Sequence, residues 1–544
     1  MARLSANARR WMGLIAIALG VALIVVDTTI VNVITPSVIE DIDIDSTQAQ
    51  WIQESYAIIF AALLLLVGRV SDMLGARAVF TWGVICFGLT SLLAGLAPSG
   101  EILILARFLQ GMAAALILPT SLALLNRMFT GKARGQAFAI WGSTIGAATA
   151  LGPVIGGWLS EHWSWRWAFG INIPVTLLIL VLAALFLVPT PRKPGRIDVL
   201  SAVLSILGLG LLAFGLIEGR IYGWFLSEKA FELPGLTWDS GLSPAFVALV
   251  LSALLLAVFV WSQILASRPG SRREPFMNTN LFSIASFRNG NVATTIIGLG
   301  EYGIIAVLPL WLVFTMDYTA LQAGLALVPI AIGSFVASGI SFPLMARVSP
   351  LGMVRMGLVL EVLGLLGLGG VAAFTDAAWW QISLAVFFYG IGVGFATSQV
   401  TNVVLADVPE DEDGQSSGIQ STFRQLGSAL GIATLTTVFF STLSSNLRDR
   451  LVDAGLSADQ AERFGDAVTD SAGAAIEPLG ANPDTAFVAD AARDAMTHGL
   501  ALGSYLAAGF LVLGVIATAL IPNTQKVRSA PAETAEDAET ASRR

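Results

Sequence analysis

Cysteine and histidine are nearly missing from this chain of 544 residues, which has one cysteine, Cys86, and two histidines, His162 and His498. One cysteine excludes an intramolecular disulfide framework. Two histidines so far apart leave no histidine metal cluster and argue against a His-based catalytic triad, so neither metal nor cofactor is expected. Charge is scarce as well, at 12% of residues. No Gly-x-x-x-x-Gly-Lys-Ser/Thr string occurs, which excludes a P-loop ATPase. What fills the chain is apolar: 55% of residues are hydrophobic and the mean hydropathy is +0.76. The apolar residues fall into runs of about 20 or more, the length a bilayer demands. The first, from about Trp11 to Val33, follows Arg3, Arg9 and Arg10 like a signal peptide, but it is too long and contains Asp27. The chain is an all-α polytopic membrane protein.

Apolar runs separated by charged or Pro/Gly-rich breaks give fourteen spans, beginning near 12, 49, 76, 101, 133, 165, 197, 244, 288, 320, 350, 378, 414 and 499. With the N-terminus inside, 21 of the 30 basic residues fall in inner loops and tails, including Arg69, Arg77, Arg127, Lys132, Arg134 and Arg192. The positive-inside rule then places both termini in the cytoplasm. Arg69-Val70-Ser71 followed by Gly75 and Arg77 is echoed by Arg347-Val348-Ser349 followed by Gly352 and Arg355. Each lies after the second span of a six-span set, which suggests two related halves. The expected organisation is a cytoplasmic N-terminus at 1–11, a six-helix bundle at 12–190, two inserted helices at 191–266 and a second six-helix bundle at 267–522. An acidic outer loop at 444–498 carries ten acids against four bases and interrupts that bundle, and a disordered cytoplasmic tail closes the chain at 523–544. Ser457-Ala-Asp-Gln460 and Asn482-Pro-Asp-Thr485 read as capped helix starts, so the outer loop is either a small helical hairpin over the vestibule or a solvated acidic loop.

Four local patterns carry chemistry. Trp141 to Trp158 is apolar yet holds Gly142, Gly146, Gly152, Pro153, Gly156 and Gly157, a composition that spoils a helix in water but lets backbones pack closely in a bilayer. Gly68-Arg69-Val70-Ser71-Asp72-Met73-Leu74-Gly75-Ala76-Arg77 joins spans two and three, where glycines allow a tight turn and Asp72 and Arg77 can pair across the inner mouth. Leu103 to Ala115 holds Arg107, Gln110 and Gly111 inside a span. Asp27-Thr28-Thr29-Ile30-Val31-Asn32, ending at Pro36, puts an acid in the first. Asp27 lies roughly 13 Å from the outer end of its span and Arg107 roughly 9 Å from the same face, so they can be partners. An unpaired charge at such depth costs at least about 2.5 to 3.5 kcal/mol.

These patterns resemble, in order, the fifth-helix Gly-Pro-x-x-Gly-Gly signature of major facilitator superfamily antiporters, the superfamily's loop between spans two and three, its fourth-span arginine motif, and the first-span signature of the fourteen-span drug/proton antiporters of EmrB/QacA type. Departures are Ala139 and Ala148 for glycines, Met73 and Ala76 for usually basic positions, and Ile34-Thr35 for the usual Ala-Leu. The resemblance implies the major facilitator fold, two six-helix bundles plus two inserted helices. It implies proton coupling through Asp27, Arg107 and Glu54, with gating by Gly68, Asp72, Gly75, Arg77, Gly152, Pro153, Gly156 and Gly157. Glu301, near the midplane of span nine, is the expected substrate contact together with Asn32, Tyr56, Gln399 and Asn402. The alternative for Asp27 with Arg107 is a helix-positioning ion pair. Glu361 falls in a peripheral span, with a structural or an oligomer-contact role, and Asp407 with Glu410 to Asp413 reads as solvated charge favouring a helix start.

The function that follows is proton-coupled export of lipophilic, cationic compounds across the cell membrane by alternating access. The partners are small substrates, protons and membrane lipids, without nucleic acid, and the protein is expected to be a monomer and not an enzyme. The alternatives are a dedicated exporter of an endogenous antibiotic or siderophore and a polytopic membrane enzyme.

Overall fold

A computed structural model describes residues 6–233, 236–238, 241–268, 274–373 and 378–522. The tail expected at 523–544 lies outside these. The helices are α1 (Ala6–Ile42), α2 (Ser46–Leu74), α3 (Ala76–Gly95), α4 (Gly100–Met128), α5 (Gly131–His162), α6 (Arg166–Gly170) and α7 (Asn172–Phe186). Then come α8 (Val199–Tyr222) and α9 (Pro244–Ala266), and after them α10 (Ala285–Phe314), α11 (Ala320–Leu344), α12 (Pro350–Ala372), α13 (Trp379–Val404), α14 (Asp413–Asp453), α15 (Ala458–Asp470), α16 (Ile476–Ala481) and α17 (Ala486–Ala519). With α6 and α7 forming one span, fourteen helical stretches are long and apolar enough to cross a membrane. The end of the bundle from which α1 starts is called inner below.

Sequence explains the helix limits. Asp45, Asp198, Ser243, Thr319, Ser349 and Ser457 each accept a backbone N–H in the first turn of the helix they cap. Thr319 and Ser457 complete capping boxes with Gln322 and Gln460. The turn between α2 and α3 is a single residue, Gly75, at φ +90°, a conformation that glycine adopts without strain. Each expected span start lies within six residues of a helix start except the last: α17 begins at Ala486, and Thr485 stands at its cap position. Its first turns carry Asp490, Arg493 and Asp494 and rise beyond the apolar stretch. There α14 also continues to Asp453, α15 folds back on it, and Arg450 pairs with Asp494 of α17 at 2.9 Å. The acidic outer segment is thus helical. Between α8 and α9 a short antiparallel hairpin pairs β1 (Phe231–Leu233) with β2 (Leu236–Trp238).

The helices pack as two bundles. α1 lies against α4, α5 and α7, and α2 and α3 against α4; α10 lies against α13, α14 and α17, and α12 against α13 and α17. The inserted pair α8 and α9 packs on itself and, through α8, on both α2 and α14. The bundles meet along α5 with α11 and α13, and α2 and α4 with α14.

Candidate functional site

In the first bundle the buried polar residues converge on Asp27. Its Oδ2 accepts from Arg107 Nη1 at 2.5 Å, and its Oδ1 accepts from Gln110 Nε2 at 2.7 Å and Asn172 Nδ2 at 2.8 Å. Ser91 Oγ accepts from the same two amides, and Arg107 Nη1 also donates to Gln110 Oε1 at 2.7 Å. Arg107 Nε donates to the carbonyl of Ile52, and its guanidinium lies 4.3 Å from the Tyr56 ring centroid. All five hydrogen-bonding side chains, from α1, α3, α4 and α7, are buried. Arg107 and Gln110 share a helix face because they are three residues apart. A charge pair stripped of water is favourable only when its remaining hydrogen-bonding capacity is filled, and here the amides and Ser91 fill it.

The inner end is closed by contacts between the bundles. Asp72, near the end of α2, accepts from the backbone N–H groups of Gly414 and Gln415 at 2.7 and 2.9 Å, so its carboxylate sits on the positive N-terminus of α14. Gly68, one turn earlier, faces the same helix closely: a Cβ there would lie 2.8 Å from the Gly414 carbonyl oxygen and 3.0 Å from Gly418 Cα. Asn126 donates to Asp413 at 2.6 Å, Arg134 to the Asn402 side chain at 2.9 Å, and Gln399 to the Gly135 carbonyl at 3.1 Å. Ser143 donates to the Ser334 carbonyl at 2.7 Å. Lys193, in the loop after α7, reaches Asp411 and Glu412. Burial disfavours its ammonium, but the two acids outweigh that and hold it above the ordinary lysine range.

In α5 the glycines divide between two neighbours. Gly152 and Gly156 face α1 at Thr29 and Ile30, whereas Pro153 and Gly157 face α11 at Gly324 and Leu321. A Cβ on Gly156 would lie 2.7 Å from Ile30 Cγ1, but one on Gly157 would meet Leu321 Cα at an ordinary 3.8 Å. One face therefore holds the first bundle together and the other forms the seam to the second.

The second bundle has its own buried acids. Glu301 of α10 accepts from Thr397 Oγ1 at 2.8 Å, and Tyr389 donates to its backbone carbonyl at 2.7 Å. Next to it on the chain Tyr302 accepts from Arg424 of α14 at 2.9 Å, and that guanidinium lies 5.6 Å from the Trp141 ring centroid of α5, across the bundles. Glu361 is fully buried on α12 against Gly392 of α13, and neither of its carboxyl oxygens has a hydrogen-bond partner among the described residues.

A family model described as Major Facilitator Superfamily matches residues 17–288 and 200–432. The chain belongs to that superfamily. The multidrug efflux pump LfrA of Mycolicibacterium smegmatis is 32% identical over 513 residues, which cover 94% of this chain and 95% of the pump. The puromycin resistance protein pur8 of Streptomyces alboniger is 32% identical over 83% of this chain and 86% of its own length. The crystal structure of the human organic anion transporter MFSD10 superposes with a TM-score of 0.59, covering 94% of this chain and 99% of that one, at 14% identity. That likeness speaks to the fold.

For this superfamily member, Asp27 and Arg107 come together as expected of their depths, whereas Glu54 stands apart from them, beside Glu218 of α8. Tyr56 is buried under Arg107, and Gln399 and Asn402 lie in the inner seam; Asn32 is exposed, and Glu301 is buried. Asp72 does span the inner mouth, but its partner is the α14 terminus and not Arg77. Arg77 instead donates to the carbonyls of Ala183 and Ala184 at the end of α7, because the turn at Gly75 sends it back into its own bundle. Glu410 and Asp411 are exposed, but Asp413 is not solvated: it is buried under Asn126, and Asp407 accepts from Ser286. The full burial of Glu361 leaves no surface for an oligomer contact through its side chain. Asn172, Ser91 and Glu218 were not singled out from sequence. Each is a lone polar residue inside or at the end of an apolar run, which is the only signal the sequence offers for them.

Proposed function

We propose that this chain is a proton-driven exporter of small lipophilic, preferentially cationic compounds, of the fourteen-span drug/proton antiporter type, working by alternating access in the cell membrane with both termini cytoplasmic. The observation that carries the reading is the buried centre of Asp27, Arg107, Gln110 and Asn172. Protonation of Asp27 competes with Arg107 for the same carboxylate, and Arg107 grips the Ile52 carbonyl and the Tyr56 ring of α2, so proton entry is tied to the position of a helix that closes the inner seam. Glu301 supplies the negative charge a cation would seek. Asn32, Tyr56, Gln399 and Asn402 are the further substrate contacts in this reading, the last two acting in the seam. The names of LfrA and pur8 support small-molecule export, and the second also favours a narrower reading, export of one antibiotic.

Dye transport into inverted membrane vesicles, with and without an imposed pH gradient, tests the reading; transport indifferent to the gradient would defeat it. In the same assay Glu301→Gln is expected to lower transport of a cationic dye about tenfold while changing a neutral one little, since one lost charge contact is worth about 1.4 kcal/mol or more. Equal losses for both dyes would remove Glu301 from cation recognition. The orientation is tested with an impermeant maleimide on intact cells in a Cys86→Ala background. Glu462→Cys, on exposed α15, should label and Ala530→Cys should not. The opposite pattern inverts the topology.

A further inference from the structure

The inserted helices have no role in the scheme above, yet α8 carries acid where it touches both bundles. Glu218, one turn before the end of α8, is buried, and its carboxyl faces the Glu54 carboxyl of α2, the helix on which α8 packs. Glu54 Oε2 and Glu218 Oε2 are both buried without a hydrogen-bond partner among the described residues. Two residues on, Arg220 lies 4.3 Å from the Phe440 ring centroid of α14. On the same two helices Trp51 of α2 stacks on Phe214 of α8 with centroids 6.4 Å apart. One helix is thus fastened to the first bundle by an acid pair and a stacked aromatic, and to the second by a cation over a ring.

We infer that Glu54 and Glu218 form a second proton-binding site, holding one shared proton, and that it links the outer mouth to the external pH through α8. Two carboxyl groups facing each other out of water cannot both stay ionised, because bare carboxylates repel, whereas one shared proton gives each a hydrogen-bond partner. With the proton in place α8 is tied to α2. Without it the like charges push α8 away, toward α14, where Arg220 already sits. The other charged or titratable groups facing the pair are Arg220 and Tyr222 of α8, Lys229 in the following loop, and Asp470 of α15 beside Arg220. Arg220 and Lys229 are near enough to balance the charge left when the proton goes. The inference rests on the proton-driven reading, but its test separates from it.

The purified full-length protein in lipid is compared by infrared difference spectroscopy with Glu218→Gln and with Glu54→Gln/Glu218→Gln, following the carbonyl band of protonated carboxyl groups at neutral pH. Glu218→Gln is expected to lose one protonated carboxyl, and the double variant no more than that, since the two acids share one proton. In vesicles carrying an acidic external phase, Glu218→Gln is expected to shift the pH profile of efflux by about one unit or more, the size of a lost strong carboxyl neighbour. No lost band in Glu218→Gln, two lost in the double variant, or an unmoved pH profile would each overturn the shared site. If the unaltered protein transports without regard to the gradient, the proton-driven reading fails, whatever the infrared bands show.

Discussion

Asparagine at position 27 should abolish gradient-driven export of cationic and neutral substrates alike. Every oxygen of the native carboxylate is engaged by a donor, so a proton can bind only where Arg107 lets go. The asparagine amide cannot take up that proton, and substrate movement is then no longer tied to the gradient. The variant also leaves the Arg107 guanidinium buried without its counter-charge. Removing one partner of a buried pair costs about 3 to 5 kcal/mol, so Asp27→Asn is expected to accumulate poorly and to melt at a lower temperature. Asp27→Asn combined with Arg107→Gln removes the orphan charge and should recover most of the lost stability. It should not recover export. Vesicle transport at matched protein level, together with a thermal melt of the detergent-solubilised protein, separates the two effects. Normal gradient-driven transport by the double variant would take both residues out of coupling.

The sequence made the spans and the buried charges legible because lipid imposes a strict rule, about twenty apolar residues per crossing, and because an arginine or aspartate in such a run is conspicuous. It was silent about partners between helices. Nothing in the order of residues says that Asn172 of α7 reaches Asp27 of α1, or that Glu54 meets a glutamate from an inserted helix, since these pairings depend on how separate helices are rotated against one another. Glu218 does not stand out because the apolar run is already fading there. The expected pairing of Arg77 with Asp72 across the inner mouth fails for a related reason: the φ of Gly75 decides where the chain goes next, and a glycine in a sequence does not reveal its φ. The late start expected for the last span has a different cause. The first turns of α17 are amphipathic, packed on α14 above the apolar zone, so hydropathy alone ends the helix too soon.

Leucine at position 418 should hold the inner side open. At this point α2 and α14 cross with glycine on both sides, and a Cβ on Gly418 would lie 2.9 Å from both Gly68 Cα and the Leu64 carbonyl oxygen. Those are backbone atoms, which cannot turn aside as a side chain would, so the two helices must separate. Gly418 faces the other bundle, so each bundle keeps its own packing and the protein should still fold. Overpacking of this kind costs about 1 to 3 kcal/mol. Because it penalises only the inner-closed arrangement, it shifts the balance toward the inner-open one by roughly five- to more than a hundredfold. Asp72→Asn should act in the same direction more weakly, since it removes only the charge on the α14 terminus, worth about 0.3 to 1 kcal/mol at an exposed helix end and up to about 2 when partly buried. Spin labels at Lys132 and Arg347, exposed on the inner face of the first and second bundle respectively, would report the change in a Cys86→Ala background. The expected result is a graded gain of the longer distance, small for Asp72→Asn and dominant for Gly418→Leu, with export lost in the latter. If export is lost while the distance distribution stays that of the unaltered protein, the glycine crossing does not govern the inner gate.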